Sequence, residues 1–162
     1  MLACRPVTTT DGRGGNPGSQ ATGPPSPRAP AGVLLLEADI AAANAVQAVL
    51  ARTTGRRVWV LHESSLPIAK KLLAACRFRL ILLDPALPDT TPGQVLRAIK
   101  NRAPDTPLVL LQGGAPTVTA LERGDIGDAA AARLAGAVAV IGRDQKDALV
   151  QVVREVLGIA GE

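Results

Sequence analysis

Aromatic residues are almost absent from this sequence: Trp59 and Phe78 are the only two, and there is no tyrosine. Base stacking on aromatic side chains, which many single-strand nucleic-acid binders use, therefore has almost no support here. Apolar residues still make up 47% of the chain, enough for a sizeable core. That core must be built from leucine, valine, isoleucine and alanine, and we expect no nucleic-acid partner.

Cysteine and histidine are also scarce. Cys4 and Cys76 are too far apart for a Cys-x-x-Cys pair, and His62 is the only histidine, so a Cys/His metal site is excluded. No apolar run reaches the roughly 18 residues that a membrane span needs. The first residues also lack the apolar core of a signal peptide. We therefore expect a cytoplasmic protein without a membrane partner.

The charge is mildly basic, with a net value of +4 and no run of basic residues. This balance favours an ordinary solvated surface over a dedicated anion-binding one. Three basic groups could also form a patch around the second helix: Arg56–Arg57, Lys70–Lys71, and Arg77 with Arg79.

Residues 1–31 are rich in glycine, proline, serine and threonine. Such a segment cannot bury enough apolar surface to offset its ordering entropy, so we predict a disordered tail. Its glycines follow no apolar strand and GK[ST] is absent, which argues against a phosphate loop. Residues 32–162 are predicted to form one domain.

Short, wholly apolar runs alternate with helical segments throughout that domain. Strands without polar alternation are typical of a parallel sheet covered on both faces. Five βα units predict a doubly wound α/β fold with the flavodoxin-like strand order 2-1-3-4-5. The predicted strands are Val33–Leu36, Val58–Leu61, Leu80–Leu83, Pro107–Leu111 and Ala137–Ile141. The predicted helices are Ile40–Arg52, Ser64–Ala75, Pro92–Arg102, Ala129–Leu134 and a final helix capped by Asp144, with a further turn near Val118–Arg123.

In such sheets, ligands bind beyond the carboxyl ends of the strands. Glu37 and Asp39 follow the first strand, Asp84 the third, Gln112 the fourth and Arg143 the fifth. Clustered carboxylates with one nearby cation could hold Mg²⁺ and orient a phosphoryl group. A plainer interpretation stays open, in which Asp84 caps the turn after its strand and the other carboxylates are solvated at a helix entry.

Four segments, in this order and spacing, resemble the receiver domain of response regulators. They are VLLLEADIAAANAVQAVL, LILLDPALPDTTPGQVLRAIK, TPLVLLQGG and GAVAVIGRD. The resemblance covers about residues 32–158 and depends most on the segment around Asp84. It implies a role in two-component signal transduction, in which an aspartate matching Asp84 accepts a phosphoryl group from a histidine kinase.

The resemblance also implies a metal site that is incomplete. Glu37 matches the first member of an acidic pair, but Ala38 stands where the second, a direct Mg²⁺ ligand, is expected. Asp39 lies one residue further on, where the helix entry turns it away. Glu37, Asp39 and Asp84 are therefore weak candidate ligands, and we expect either no cofactor or weakly bound Mg²⁺.

The groups that sense the phosphoryl group depart from the family as well. Gln112 stands where a serine or threonine is expected, and Arg143 stands where a lysine is expected. Val140 replaces the aromatic residue that usually changes rotamer. Gln112 and Arg143 remain candidate phosphoryl contacts, but the usual means of reporting phosphorylation is missing.

We therefore predict an atypical, stand-alone receiver that is not an enzyme and acts by binding a protein. The partner would be a histidine kinase or a downstream effector. In this family the fourth helix, fifth strand and fifth helix commonly form the contact, here about residues 129–156, and a homodimer through the same surface is an alternative. Two other functions stay open: a working phosphoacceptor in a phosphorelay, and a nucleotide-binding module that uses arginines such as Arg56, Arg57 or Arg143.

Overall fold

The computed structural model describes residues 30–113 and 136–160. Five parallel strands form one sheet in the order β2-β1-β3-β4-β5, which confirms the predicted topology. The strands are β1 (Ala31–Leu36), β2 (Val58–Glu63), β3 (Leu80–Leu83), β4 (Leu108–Gln112) and β5 (Ala139–Gly142). The helices, numbered over the described residues, are α1 (Ile40–Thr54), α2 (Leu66–Ala75), α3 (Pro92–Arg102) and α4 (Lys146–Leu157). A short 3₁₀ helix at Gly55–Arg57 joins α1 to β2.

The sheet separates two apolar layers, because successive residues of a strand point to opposite faces. In β1, Leu34 and Leu36 pack towards α2 and α3, whereas Val33 and Leu35 pack towards α1 and α4. The inner strands β1, β3 and β4 are therefore buried almost throughout, and the edge strands β2 and β5 are mostly half-buried. This is the three-layer arrangement expected of wholly apolar parallel strands.

Two helix starts differ from the sequence-based expectation. The capping residue of α4 is Gln145, so the prediction that Asp144 caps this helix is wrong by one position. The reason is a tight turn after β5, in which the Gln145 N–H donates to the Gly142 carbonyl and the Lys146 N–H to the Asp144 carbonyl. The helix α2 begins at Leu66, two residues later than predicted, because Glu63 Oε1 accepts from the N–H groups before it.

Several predictions fall outside the described residues. These are the tail up to residue 29, the helical turn near Val118–Arg123 and the helix Ala129–Leu134. Ala31, which was placed at the end of the tail, instead begins β1. None of the helices in the described ranges combines the length and the hydropathy that a membrane span requires.

Candidate functional site

The backbone hydrogen bonding of the sheet continues for one residue beyond the ends of β1, β3 and β5. The Glu37 N–H donates to the Glu63 carbonyl at 3.0 Å, and the Asp84 N–H donates to the Leu36 carbonyl at 2.9 Å. At the other side of the sheet, the Arg143 N–H donates to the Gln112 carbonyl at 2.9 Å. All strands are parallel, so these residues lie at one edge, here called the carboxyl edge.

The side chains of Glu37, Asp84 and Arg143 meet at this edge. Arg143 Nη2 donates to Glu37 Oε1 at 3.0 Å and also to Asp84 Oδ2. Glu37 is 1% exposed and Asp84 is 2% exposed, whereas the Arg143 side chain is 31% exposed. One guanidinium therefore covers two buried carboxylates from the solvent side.

The length of the arginine side chain makes this contact feasible. Neighbouring strands are about 4.8 Å apart, so β5 is roughly 10 Å from β3 across β4. Gly113, directly after β4, lies beneath the path of the side chain. A Cβ at this position would be 3.1 Å from Cζ of Arg143. The sequence reasoning missed this role for Gly113, although a glycine directly after a central strand is a usable signal of close approach.

Glu37 is an unusual carboxylate because only one of its two oxygens has hydrogen-bond partners. Oε1 accepts from the Asp39 N–H at 2.9 Å as well as from Arg143, whereas Oε2 is buried without a hydrogen-bond partner. Burial raises the pKa of Glu37, and the nearby charge of Asp84 raises it further. The Asp39 N–H and Arg143 act in the opposite direction but do not cancel this effect.

His62 holds the backbone of Glu37 from the side of β2. Its Nε2 atom is hydrogen-bonded to the Glu37 carbonyl at 2.8 Å. Together with the bond from the Glu37 N–H to Glu63, this fixes the residue in place. His62 therefore has a positioning contact that its place in the sequence did not reveal.

Asp39 is a helix cap. Its Oδ1 atom accepts from the N–H groups of Ala41 and Ala42 at 2.8 and 3.2 Å, and the residue is exposed. Across residues 30–113 and 136–160, no three Asp, Glu, His or Cys side chains are grouped so that they could hold a metal. The candidate metal set of Glu37, Asp39 and Asp84 is therefore not assembled here.

The site does not fit the Mg²⁺ ion that its resemblance implies. Ala38 offers only a methyl group, which packs against the core. The two carboxylates that remain share the Nη2 atom of Arg143, which stands where a cation would have to bind. The guanidinium is thus the positive charge of this site.

Asp84 also has the plainer role considered for it, as a cap of the turn after its strand. Its Oδ1 atom accepts from the Ala86 N–H at 2.8 Å and so caps the turn after β3. Its second oxygen pairs with Arg143. Both carboxylate oxygens of the candidate phosphoacceptor are therefore engaged within the chain.

The other candidate residues are divided between two places. Gln112 ends β4 beside Gly113, and Val140 packs on the core layer of α2 and α3. Arg56 and Arg57 precede β2 and so lie at the amino edge, where the strands begin. They therefore lie at the opposite edge from Arg143, which was named beside them as an alternative nucleotide contact.

Comparison with known proteins gives similarity at the level of structure. No protein-family model and no curated protein sequence matches the chain. A CheY-like response regulator receiver domain protein from Methanospirillum hungatei JF-1 is 19% identical, with a TM-score of 0.62, over 80% of this chain and 94% of that one. The signal receiver domain of an HD domain-containing protein from Pseudomonas fluorescens Pf-5 is 19% identical, with a TM-score of 0.64, over 80% and 88% of the two chains.

A third structure contains a metal. The receiver domain of a sensor histidine kinase from Pseudomonas aeruginosa PAO1, with magnesium ion coordinated in its active-site cleft, is 18% identical, with a TM-score of 0.64, over 80% of this chain and 99% of that one. The chain therefore has the fold of response-regulator receiver domains.

Proposed function

We propose that this protein is an atypical receiver of two-component signalling, which acts in the cytoplasm by binding a partner protein. Phosphorylation at Asp84 is weakened or lost in this proposal. The observation that carries it is the bridge from Arg143 to both Glu37 and Asp84. The receiver fold of the solved neighbours supports the signalling class.

The bridge opposes phosphorylation because it occupies the attacking group. An aspartate must present a carboxylate oxygen to the incoming phosphorus atom. Asp84 has one oxygen bonded to the Ala86 N–H and the other to Arg143. Attack would require the guanidinium to leave two buried carboxylates, and separating a buried charge pair is costly.

A phosphorylated Asp84 would also lack its usual readout. The family couples a hydroxyl at the position of Gln112 to an aromatic side chain at the position of Val140. Neither group is present at these two positions. We therefore infer that the carboxyl edge holds one fixed state, with Arg143 in the place of a charge-neutralising ligand.

The partner is proposed to be a histidine kinase or a downstream effector, and the contact surface includes β5 and α4. Val138, next to β5, is a large apolar residue that is 51% exposed. Such a residue contributes well to a protein interface when a partner covers it. A second copy of the chain on the same surface is the alternative occupant.

The test is phosphorylation by acetyl phosphate with Mg²⁺, followed by the mass of the intact protein. We expect no phosphoadduct on the natural chain. The triple variant Ala38→Asp, Gln112→Thr and Arg143→Lys restores the family's residues at the metal and phosphoryl contacts and should gain an adduct. That adduct should disappear when Asp84→Asn is added, which makes this fourth substitution the matched control.

The same experiment decides the second candidate, a working phosphoacceptor in a phosphorelay. Asp84 does stand directly after β3, where the family's phosphoacceptor lies. An adduct on the natural chain that is lost in Asp84→Asn would overturn the proposal in favour of this candidate.

A further inference from the structure

A small cavity lies between α1 and α4, beside the ion pair of the carboxyl edge. Its volume is about 100 Å³. The residues that line it include two charged side chains and four apolar ones: Glu37, Arg143, Ala45, Val46, Val49 and Leu149. Of the apolar residues, Val49 and Leu149 are buried and the two others are half-buried. The cavity therefore extends inwards from the surface between the two helices.

Two polar atoms of the ion pair have no hydrogen-bond partner. They are Oε2 of Glu37 and Nε of Arg143, and both atoms are buried. Oε2 shares its carbon with Oε1, and Nε shares its carbon with Nη2, so both stand beside the 3.0 Å bond that joins Nη2 to Oε1. A buried polar atom without a partner costs free energy, and a ligand that bonds to both atoms would remove that cost.

Water alone does not complete this cavity. A buried water needs about two to four polar partners, and the two free atoms could hold one such molecule. Most of the remaining lining is apolar, and Lys146, which also lines the cavity, is an exposed residue. An apolar wall is covered better by an organic group than by water. We therefore expect an occupant with one polar end and one apolar end.

The two free atoms select a polar end that is neutral. An ammonium group could donate to Glu37 Oε2 but could not accept from Arg143 Nε, and it would face the guanidinium charge. A carboxylate could accept from Nε but could not donate to Oε2, and it would face Glu37 and Asp84. A carboxamide serves both atoms, because its carbonyl accepts and its NH₂ group donates.

We propose that this cavity binds a small neutral carboxamide, whose carbonyl accepts from Arg143 Nε and whose NH₂ group donates to Glu37 Oε2. An engineered apolar cavity of about 150 Å³ holds benzene, so a cavity of about 100 Å³ has room for roughly four or five non-hydrogen atoms. This corresponds to a carboxamide on an ethyl group, which lies between α1 and α4. Arg143 Nη2 keeps both of its carboxylate partners. The inference rests on the ion pair that also carries the proposed function, and it adds a ligand that holds Arg143 in place.

The experiment titrates the isotope-labelled full chain with propionamide and follows the backbone amide shifts by NMR. We expect saturable shifts at Val46, Val49 and Leu149 with a Kd in the millimolar range, because so small a ligand buries little surface. Propionate and propylammonium each leave one of the two buried atoms without a partner, so they should bind at least about tenfold more weakly. Shifts that do not saturate, or equal affinities for the three compounds, would overturn the inference.

A matched pair of substitutions on α1 tests the place of binding. Ala45→Leu puts a larger apolar side chain into the cavity and should weaken propionamide binding at least about tenfold, because the two compete for the same space. Ala48→Leu makes the same change at an exposed position of α1 and should leave the Kd within about twofold. Equal losses in the two variants would place the binding elsewhere and refute the inference.

Glu37→Gln tests the polar end of the ligand without filling the cavity. Its Oε1 atom can still accept from the Asp39 N–H and from Arg143, so its NH₂ group takes the place of Oε2 and cannot accept from the ligand. The preference for propionamide over propionate should therefore fall at least about tenfold, and an unchanged preference would contradict the inference.

The phosphorylation assay keeps this inference apart from the proposed function. A natural chain that binds propionamide and also gains a phosphoadduct would overturn the proposed function alone. A natural chain that gains no adduct and does not bind propionamide would overturn this inference alone.

Discussion

The two edges of the sheet use charge in opposite ways. At the carboxyl edge, Arg143 pairs within the chain with Glu37 and Asp84, two carboxylates that are almost fully buried. At the amino edge, Arg52 and Arg56 line a cavity to which the described residues contribute no carboxylate. The edge where this fold normally binds its ligand is thus neutralised by ion pairs, whereas at the opposite edge Arg57 and Arg154 donate to backbone carbonyl groups.

This difference teaches that the residue types at a site do not by themselves define its ligand. Glu37, Asp84 and a cation are the ingredients of a phosphoryl site, yet here they satisfy one another. Charge that is already paired gains little from a ligand, because a new partner must first displace the old one.

The largest expected effect tests the internal pairing at the carboxyl edge. Arg143→Ala leaves two buried carboxylates facing each other without a counter-charge, and should lower the free energy of unfolding by about 3 kcal/mol. Urea denaturation measures this loss. Arg97→Ala, the same change on the exposed face of α3, should cost less than about 0.5 kcal/mol.

Added Mg²⁺ makes the same comparison sharper. With the guanidinium removed, a divalent ion can approach both carboxylates, so Mg²⁺ should stabilise Arg143→Ala more than the natural chain. A variant as stable as the natural chain, with no response to Mg²⁺, would show that the carboxylates do not need Arg143.

The next effect tests packing at the amino edge. A Cβ on Gly32 would be 2.5 Å from Cζ2 of Trp59, whose ring also contacts Phe78 at a centroid distance of 5.7 Å. Gly32→Ala should therefore cost about 2 kcal/mol, measured by urea denaturation, because the indole must move within a packed layer. Gly93→Ala places its Cβ in open space at the start of α3 and should be neutral or slightly stabilising. Equal effects of the two substitutions would refute the packing argument.

The sequence predicted the sheet well because its strands are wholly apolar over their inner positions. Leu80–Leu83 was located residue for residue, since a short, wholly apolar run is typical of an inner strand of a covered parallel sheet. Topology then placed Glu37, Asp84 and Arg143 at one edge, as the strand order requires. The predictions that depend on the whole sheet were thus the reliable ones.

Local and distant details were harder to predict, for different reasons. Gln145 rather than Asp144 caps α4 because a backbone turn after β5 shifts the helix start, and turn geometry leaves little trace in residue type. Arg52 and Arg154 line one cavity, and their proximity follows only from the packing of α1 beside α4. No periodic pattern in the sequence connects positions that far apart.

A smaller effect tests whether Asp39 belongs to the charged site or to α1. Asp39→Ala removes the acceptor for the Ala41 and Ala42 N–H groups and should cost about 1 kcal/mol in the free energy of unfolding. Asp39→Asn keeps a capping oxygen and should cost at most about 0.5 kcal/mol. Should asparagine prove as harmful as alanine, the charge of Asp39 and not its capping bond would be the important property.

The smallest effect concerns the protonation of Glu37 and appears as a pH dependence. Burial raises the pKa of this carboxyl above its ordinary value of 4.5, so the folded chain binds the proton more tightly than the unfolded chain does. The contribution of Glu37 to stability is then greatest below pH 4.5 and falls as the pH rises through the folded-state pKa. Glu37→Gln abolishes this titration, while its Oε1 atom can still accept from Asp39 and Arg143. The free energy of unfolding of Glu37→Gln, relative to the natural chain, should therefore increase between pH 4.5 and pH 7 in urea denaturation. A relative stability that decreases over the same range would mean that Arg143 outweighs burial and holds Glu37 ionised.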